Sequence, residues 1–134
     1  MGQLAVTFVS LVLAAVMTAS GFGKIARFDR FRDALTRTYA WDPQLAEVLA
    51  PAVPLIELGC AVLLAWPTAR PAGLMVTSGV LVAMSALTAA AWAGGKTGDC
   101  GCWGVVQEQL GVTTVARDMV LALVSIAALA VALQ

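Results

Sequence analysis

Two apolar segments of this chain are joined by the short sequence Ala65-Trp66-Pro67-Thr68-Ala69-Arg70-Pro71-Ala72. The segments themselves, at about residues 46–66 and 72–93, are each near the roughly 20 residues that a helix needs to cross the hydrocarbon core of a bilayer. A connection this short leaves room only for a tight turn. The two helices are therefore predicted to be antiparallel neighbours, and this pair decides the rest of the fold.

Two further apolar segments, at about residues 4–23 and 113–133, complete the set. The first has no basic residues ahead of its apolar run, which favours an uncleaved membrane helix over a signal peptide. The fold class is predicted to be all-α, with residues 1–134 forming one integral membrane domain, a four-helix up-down bundle. The alternating strands of a membrane β-barrel are not seen.

The composition points to the same class. Hydrophobic residues make up 60% of the chain, charged residues make up 12%, and the mean hydropathy is +0.89. The formal net charge is zero and histidine is absent, which argues against nucleic-acid binding and excludes histidine-based catalytic triads. The bilayer is thus the first predicted partner, and no motif indicates an oligomeric state.

The segment from residue 24 to residue 45 has the pattern of an amphipathic helix. Phe28, Phe31, Leu35 and Tyr39 recur at steps of three and four residues, and arginines lie mostly between them. This pattern predicts an interfacial helix between the first two spans. We expect its aromatic face to lie on the membrane, in preference to covering the mouth of the bundle.

Glu57 is an ionisable residue inside the second span, where an unpaired charge costs at least a few kcal/mol. Lys24 and Arg117 are predicted to lie near the same membrane face, so either can be its partner. Two roles are open for this pair: a structural ion pair that fixes the packing of the helices, or a site that takes part in proton transfer. Pro54 is predicted to kink the helix and open a hydrated notch, and Cys60, one turn beyond Glu57, is interpreted as a small apolar core residue.

Two cysteines, Cys100 and Cys102, lie one residue apart in a glycine-rich loop before the last span. Two thiols this close can form an internal disulfide, exchange with another dithiol, or chelate a soft metal such as Cu(I) or Hg(II). The ring closed by such a disulfide is small and strained, and it is therefore easily reduced. We predict that both are catalytic. The alternative is a pair of incidental thiols.

Several short sequences carry a resemblance to a known family. They are Ser20-Gly21-Phe22-Gly23-Lys24-Ile25, Pro54-Leu55-Ile56-Glu57-Leu58-Gly59, Cys100-Gly101-Cys102-Trp103-Gly104 and Ala116-Arg117-Asp118. Together they resemble the methylamine-utilisation MauE family, within the DoxX-like four-helix membrane proteins. Trp103 stands where that family more often has phenylalanine, and Asp118 where asparagine is common.

The resemblance implies a membrane protein in extracytoplasmic thiol-disulfide exchange, acting with a thioredoxin-like partner. In that family the process is maturation of the small subunit of methylamine dehydrogenase. The layout also resembles the vitamin K epoxide reductase bundle, although there two residues separate the cysteines. The sequence establishes no cofactor, and aromatic residues at the mouth, Phe28, Tyr39 and Trp103, are compatible with a bound quinone.

Two observations disagree about orientation. Most of the lysines and arginines lie on the face that carries the two longer loops, and by the positive-inside rule this face is cytoplasmic. Disulfide chemistry favours the oxidising side, and we predict that the cysteine loop is extracytoplasmic. The predicted function is a membrane thiol-disulfide redox protein. The alternatives are a soft-metal or small-solute carrier that uses the same thiolates and, more weakly, a structural subunit of a larger complex.

Overall fold

A computed structural model of the chain describes residues 2–37, 42–95 and 112–134. Within these ranges the regular elements are all helical: α1 (Gly2–Ala26), α2 (Phe28–Arg37), α3 (Pro43–Ala65), a short 3₁₀ turn (Pro67–Ala69), α4 (Arg70–Ala93) and α5 (Val112–Ala132). The predicted all-α class is confirmed. The four long helices begin one to three residues earlier than the predicted spans.

The long helices α1, α3, α4 and α5 are each apolar enough and long enough to cross a membrane. Helix α1 packs against α3 and α5, and α4 packs against the same two helices, so the four form a ring. Arg70, at the start of α4, donates to Thr7 near the start of α1 and to the carbonyl of Leu64 near the end of α3. The chain is therefore an integral membrane protein with antiparallel neighbouring helices.

The two ends of this bundle differ. At one end the 3₁₀ turn joins α3 to α4, and we call this the turn end. At the other end α1 and α4 finish, α3 and α5 begin, and α2 lies between α1 and α3; we call this the loop end. Asp42 starts α3 there by accepting a hydrogen bond from the backbone of Gln44 at 2.8 Å, with Pro43 in the first turn.

Helix α2 packs on protein. Phe31 and Leu35 are 2% and 4% exposed, and they contact Ala46 and Ala50 of α3. The prediction that the aromatic face lies on the membrane is wrong for these two residues, because the alanines leave a shallow surface that the larger side chains fill. Phe28 is half-buried beside them, and Tyr39 lies outside the described residues.

Close helix contacts depend on glycine at two positions. A Cβ on Gly73 would lie 2.9 Å from backbone atoms of Leu63 and Leu64, and a Cβ on Gly21 would lie 2.9 Å from Cγ of Leu58. Both contacts are tighter than real Cβ atoms allow. Because glycine has no side chain, α4 and α1 can pack closely against α3 at these two positions. Such close packing is expected for helices that associate inside lipid.

A candidate site of two ion pairs inside the bundle

Lys24 and Glu57 form a buried ion pair between α1 and α3. The Lys24 ammonium lies 2.8 Å from Oε1 and 2.9 Å from Oε2 of Glu57, and Lys24 is fully buried. It also donates to Oγ of Ser20, which in turn donates to the Glu57 carboxylate at 3.2 Å. All three ammonium protons therefore have an acceptor, as a charge buried among helices requires.

Local sequence places these groups together. Ser20 and Lys24 are four residues apart and share one face of α1. Gly21, between them, allows the backbone of α3 to come close enough for Glu57 to reach across. Above the ammonium, the ring of Phe31 from α2 lies 5.5 Å away, so α2 covers the pair with a cation–π contact.

The structure identifies Lys24, of the two predicted candidates, as the partner of Glu57. Arg117 instead pairs with its neighbour Asp118, with Nη2 2.9 Å and Nε 3.2 Å from Oδ1. Of the two alternatives, Arg117 is therefore the one that does not pair with Glu57. The guanidinium of Arg117 forms an ion pair with the adjacent Asp118 carboxylate, and the Arg117 side chain remains 25% exposed.

Asp118 is a functional candidate that the sequence reasoning missed. It is 6% exposed, and its second oxygen, Oδ2, lies 3.2 Å from Oγ1 of Thr88 on α4. The sequence contained one signal, an acidic residue in the first turns of an apolar helix. An adjacent arginine made that signal resemble an ordinary charged helix end.

A cavity of about 30 Å³ separates the two ion pairs. Its polar lining comes from Ser20, Glu57 and Asp118, and the remainder is apolar side chains of α1, α4 and α5. This volume exceeds what one water molecule needs. Pro54 does not line the cavity, although the sequence predicted a notch at that residue. The polar interior thus lies among the helices and not at a break in α3.

The three cysteines fall in two places. Cys60 is 1% exposed and packs with Leu13, Met17 and Leu64, as its interpretation as an apolar core residue predicted. Cys100, Cys102 and Trp103 lie outside the described residues. The chain between Gly95 and Val112, which contains them, leaves and re-enters the bundle at the loop end.

Comparison with known protein families gives a match over nearly the whole chain. The family model described as methylamine utilisation protein MauE matches residues 2–132, nearly the whole chain. No curated protein and no solved structure matches significantly.

Proposed function

This chain belongs to the MauE family of methylamine-utilisation proteins, and on that premise we propose that it is a membrane thiol-disulfide redox protein. Cys100 and Cys102 are the reacting groups in this proposal, and the partner is a thioredoxin-like protein on the extracytoplasmic side. The process served is maturation of methylamine dehydrogenase. The family match supports the process, and the pairing of the two cysteines in the sequence supports the chemistry.

The proposed exchange balances without a further reactant. A thiolate of the partner attacks one sulfur of the Cys100–Cys102 disulfide, which gives a mixed disulfide and frees the other cysteine as a thiolate. The second thiol of the partner then attacks the mixed disulfide. The partner ends as a disulfide, Cys100 and Cys102 end as thiols, and two electrons and two protons have moved between the proteins. The reverse sequence reduces the partner's disulfide to two thiols and restores the disulfide between Cys100 and Cys102.

The observation that carries the proposal is the place where the cysteine segment joins the bundle. Helix α4 ends at Ala93 and α5 begins at Val112, both at the loop end. Toward this end, the Lys24–Glu57 ion pair ties α1 to α3, and the hydrogen bond from Thr88 to Asp118 ties α4 to α5. Rigid helices thus flank the segment that contains the cysteines, and functional residues are commonly positioned by such a scaffold.

Differential alkylation tests the redox proposal. Membranes from freshly quenched cells are treated with one thiol reagent, reduced, treated with a second reagent, and examined by mass spectrometry. Cys100 and Cys102 are expected to carry the second reagent together, which shows that they were joined before reduction. Full labelling of both by the first reagent would contradict the proposal and favour incidental or metal-binding thiols.

Single variants test the partner. In Cys100→Ser and Cys102→Ser, the remaining thiol cannot be released from a mixed disulfide by its neighbour. One of the two variants is expected to accumulate a reductant-sensitive adduct with a thioredoxin-like protein, and the double variant is expected to accumulate none. Cys60→Ala is the matched control and should leave the adduct unchanged, because Cys60 is buried in the core.

A further inference from the structure

Helix α2 covers one side of the ion pair between Lys24 and Glu57. Lys24 belongs to the last turn of α1, close to the loop end, where a lysine side chain can ordinarily extend to water. Here the side chain is fully buried, and its ammonium lies 5.5 Å from the centre of the Phe31 ring. The burial of this charge at the end of a helix therefore involves α2 as well as the long helices.

The contact that holds α2 on the bundle is small. Helix α2 is ten residues long, and isolated helices shorter than about 12–15 residues are marginal in water. Its buried apolar side chains are those of Phe31, Ala34 and Leu35. Phe31 and Leu35 pack against two small residues of α3, Ala46 and Ala50. The position of α2 therefore depends on the burial of a few side chains and not on the helix itself.

The connections of α2 permit movement. One residue, Arg27, separates α2 from α1, and it is exposed. An ion pair between Arg32 and Glu47, at 3.6 Å, links α2 to α3, but the Glu47 side chain is 68% exposed, and exposed ion pairs contribute little. A rotation about the backbone of Arg27 would lift Phe31 away from Lys24 and leave the long helices in place.

Below Phe31, the contacts continue into the interior of the bundle. The Lys24 ammonium binds Ser20 and Glu57, and both of these residues line the cavity of about 30 Å³. From the loop end inward, Phe31 is thus followed by the ion pair and then by the cavity. Displacement of Phe31 would let water reach the ammonium, and water weakens the attraction between an ammonium and a carboxylate.

We propose that α2 is a lid on this internal site. In the closed form Phe31 lies over Lys24, and the ion pair is kept out of water. In the open form α2 has turned about Arg27, and water from the loop end reaches Lys24, Glu57 and the cavity behind them. The lid acts on the interior of the bundle whatever chemistry the two loop cysteines carry out, so its test is separate from the redox test.

Amine labelling of the full chain in lipid nanodiscs measures the opening. Lys24 and Lys96 are the two lysines of the sequence, so mass spectrometry follows acylation of Lys24 separately. Phe31→Ala is expected to raise the rate at Lys24 by about tenfold or more. A tenfold change corresponds to about 1.4 kcal/mol, and removal of a buried phenylalanine side chain costs more than that. Phe22→Ala is the matched control and should leave the rate unchanged, because Phe22 is 59% exposed on α1. Equal rates in wild type and Phe31→Ala would overturn the proposal.

A crosslink separates movement of α2 from simple loss of cover. Arg32→Cys with Glu47→Cys, in a chain whose native cysteines are replaced by alanine, places a thiol on each side of the contact between α2 and α3. A cleavable bismaleimide that joins the two thiols should slow acylation of Lys24, and cleavage of the spacer should restore the rate. Phe31 is kept in this variant, so the experiment is informative even if Phe31→Ala does not fold. Equally fast acylation with α2 tethered and released would show that α2 does not open.

Discussion

A lysine with no exposed surface needs a complete set of acceptors, and Lys24 has one. Moving an ammonium and a carboxylate out of water costs several kcal/mol for each ion, and their attraction returns that energy only where the geometry is good. Here Ser20 supplies the third acceptor and Phe31 covers the remaining side. At the scale of single residues, the ion pair fixes the register of α1 against α3. If the two helices slid past each other, the Lys24–Glu57 pair would separate and leave a buried charge without its counter-charge.

Removing one member of the pair tests this role. Lys24→Met leaves the Glu57 carboxylate buried among helices without its counter-charge, and we expect a loss of about 3–5 kcal/mol in the free energy of unfolding. The double variant Lys24→Met with Glu57→Leu should regain a large part of the loss. Reversible unfolding in mixed detergent micelles measures both.

The control for that prediction is a surface ion pair. Arg32 lies 3.2 Å from Asp29, whose side chain is 87% exposed, and Arg32→Met should change the free energy by about 1 kcal/mol or less. If Lys24→Met cost no more than Arg32→Met, the buried pair would not be the element that fixes the register of α1 and α3.

At the scale of elements, the contact between α3 and α4 depends on one glycine. The side chain that alanine would add at Gly73 would meet backbone atoms of Leu63 and Leu64 at 2.9 Å, and backbone cannot rotate away as a side chain can. Gly79, nearly two turns along the same helix, has open space around it, because a Cβ added there would meet nothing within 4 Å. The same substitution, glycine to alanine, can therefore be compared at a tightly packed position and at an open one on the same helix.

Gly73→Ala is expected to lower the free energy of unfolding by about 1–3 kcal/mol, because α3 and α4 must separate or distort. Gly79→Ala should leave it unchanged or raise it by up to about 1 kcal/mol, since alanine is the better helix former. Detergent unfolding of the two variants side by side measures the difference. Equal effects at the two positions would show that close approach at Gly73 contributes nothing to stability.

At the scale of elements, sequence patterns predict the helices but not what each helix face contacts. The four spans were predictable because lipid offers no hydrogen bonds to the backbone, so a long apolar segment has to be a helix. The amphipathic pattern predicted α2 as a helix, but periodicity does not say whether an apolar face meets lipid or protein, and Phe31 meets protein. Glu57 stood out because it lies within an apolar span, whereas Asp118 lies near a helix end, where charges are common.

At the scale of the whole molecule, charge is concentrated at the loop end. Arg70 is the charged residue at the turn end among the described residues, where it caps Leu64 and contacts Thr7. At the loop end, Lys24 lies inside the bundle, and Arg32 lies near two carboxylates, at 3.2 Å from Asp29 and 3.6 Å from Glu47. Lys24 and Arg32 thus serve contacts within the protein, which is compatible with the proposed extracytoplasmic placement of the loop end despite the number of positive charges there.

Thiol labelling of intact spheroplasts decides this orientation. After gentle reduction, a membrane-impermeant maleimide should label Cys100 and Cys102 from outside, because the segment that carries them joins the bundle at the loop end. Cys60, 1% exposed, should stay unlabelled until the protein is denatured, and it thereby reports that the bundle is intact. Labelling of the pair only after the membrane is permeabilised would place the loop end in the cytoplasm, where the positive-inside rule puts it. In that case the redox partner would have to be a cytoplasmic dithiol protein, because an extracytoplasmic thioredoxin-like protein could not reach the thiols.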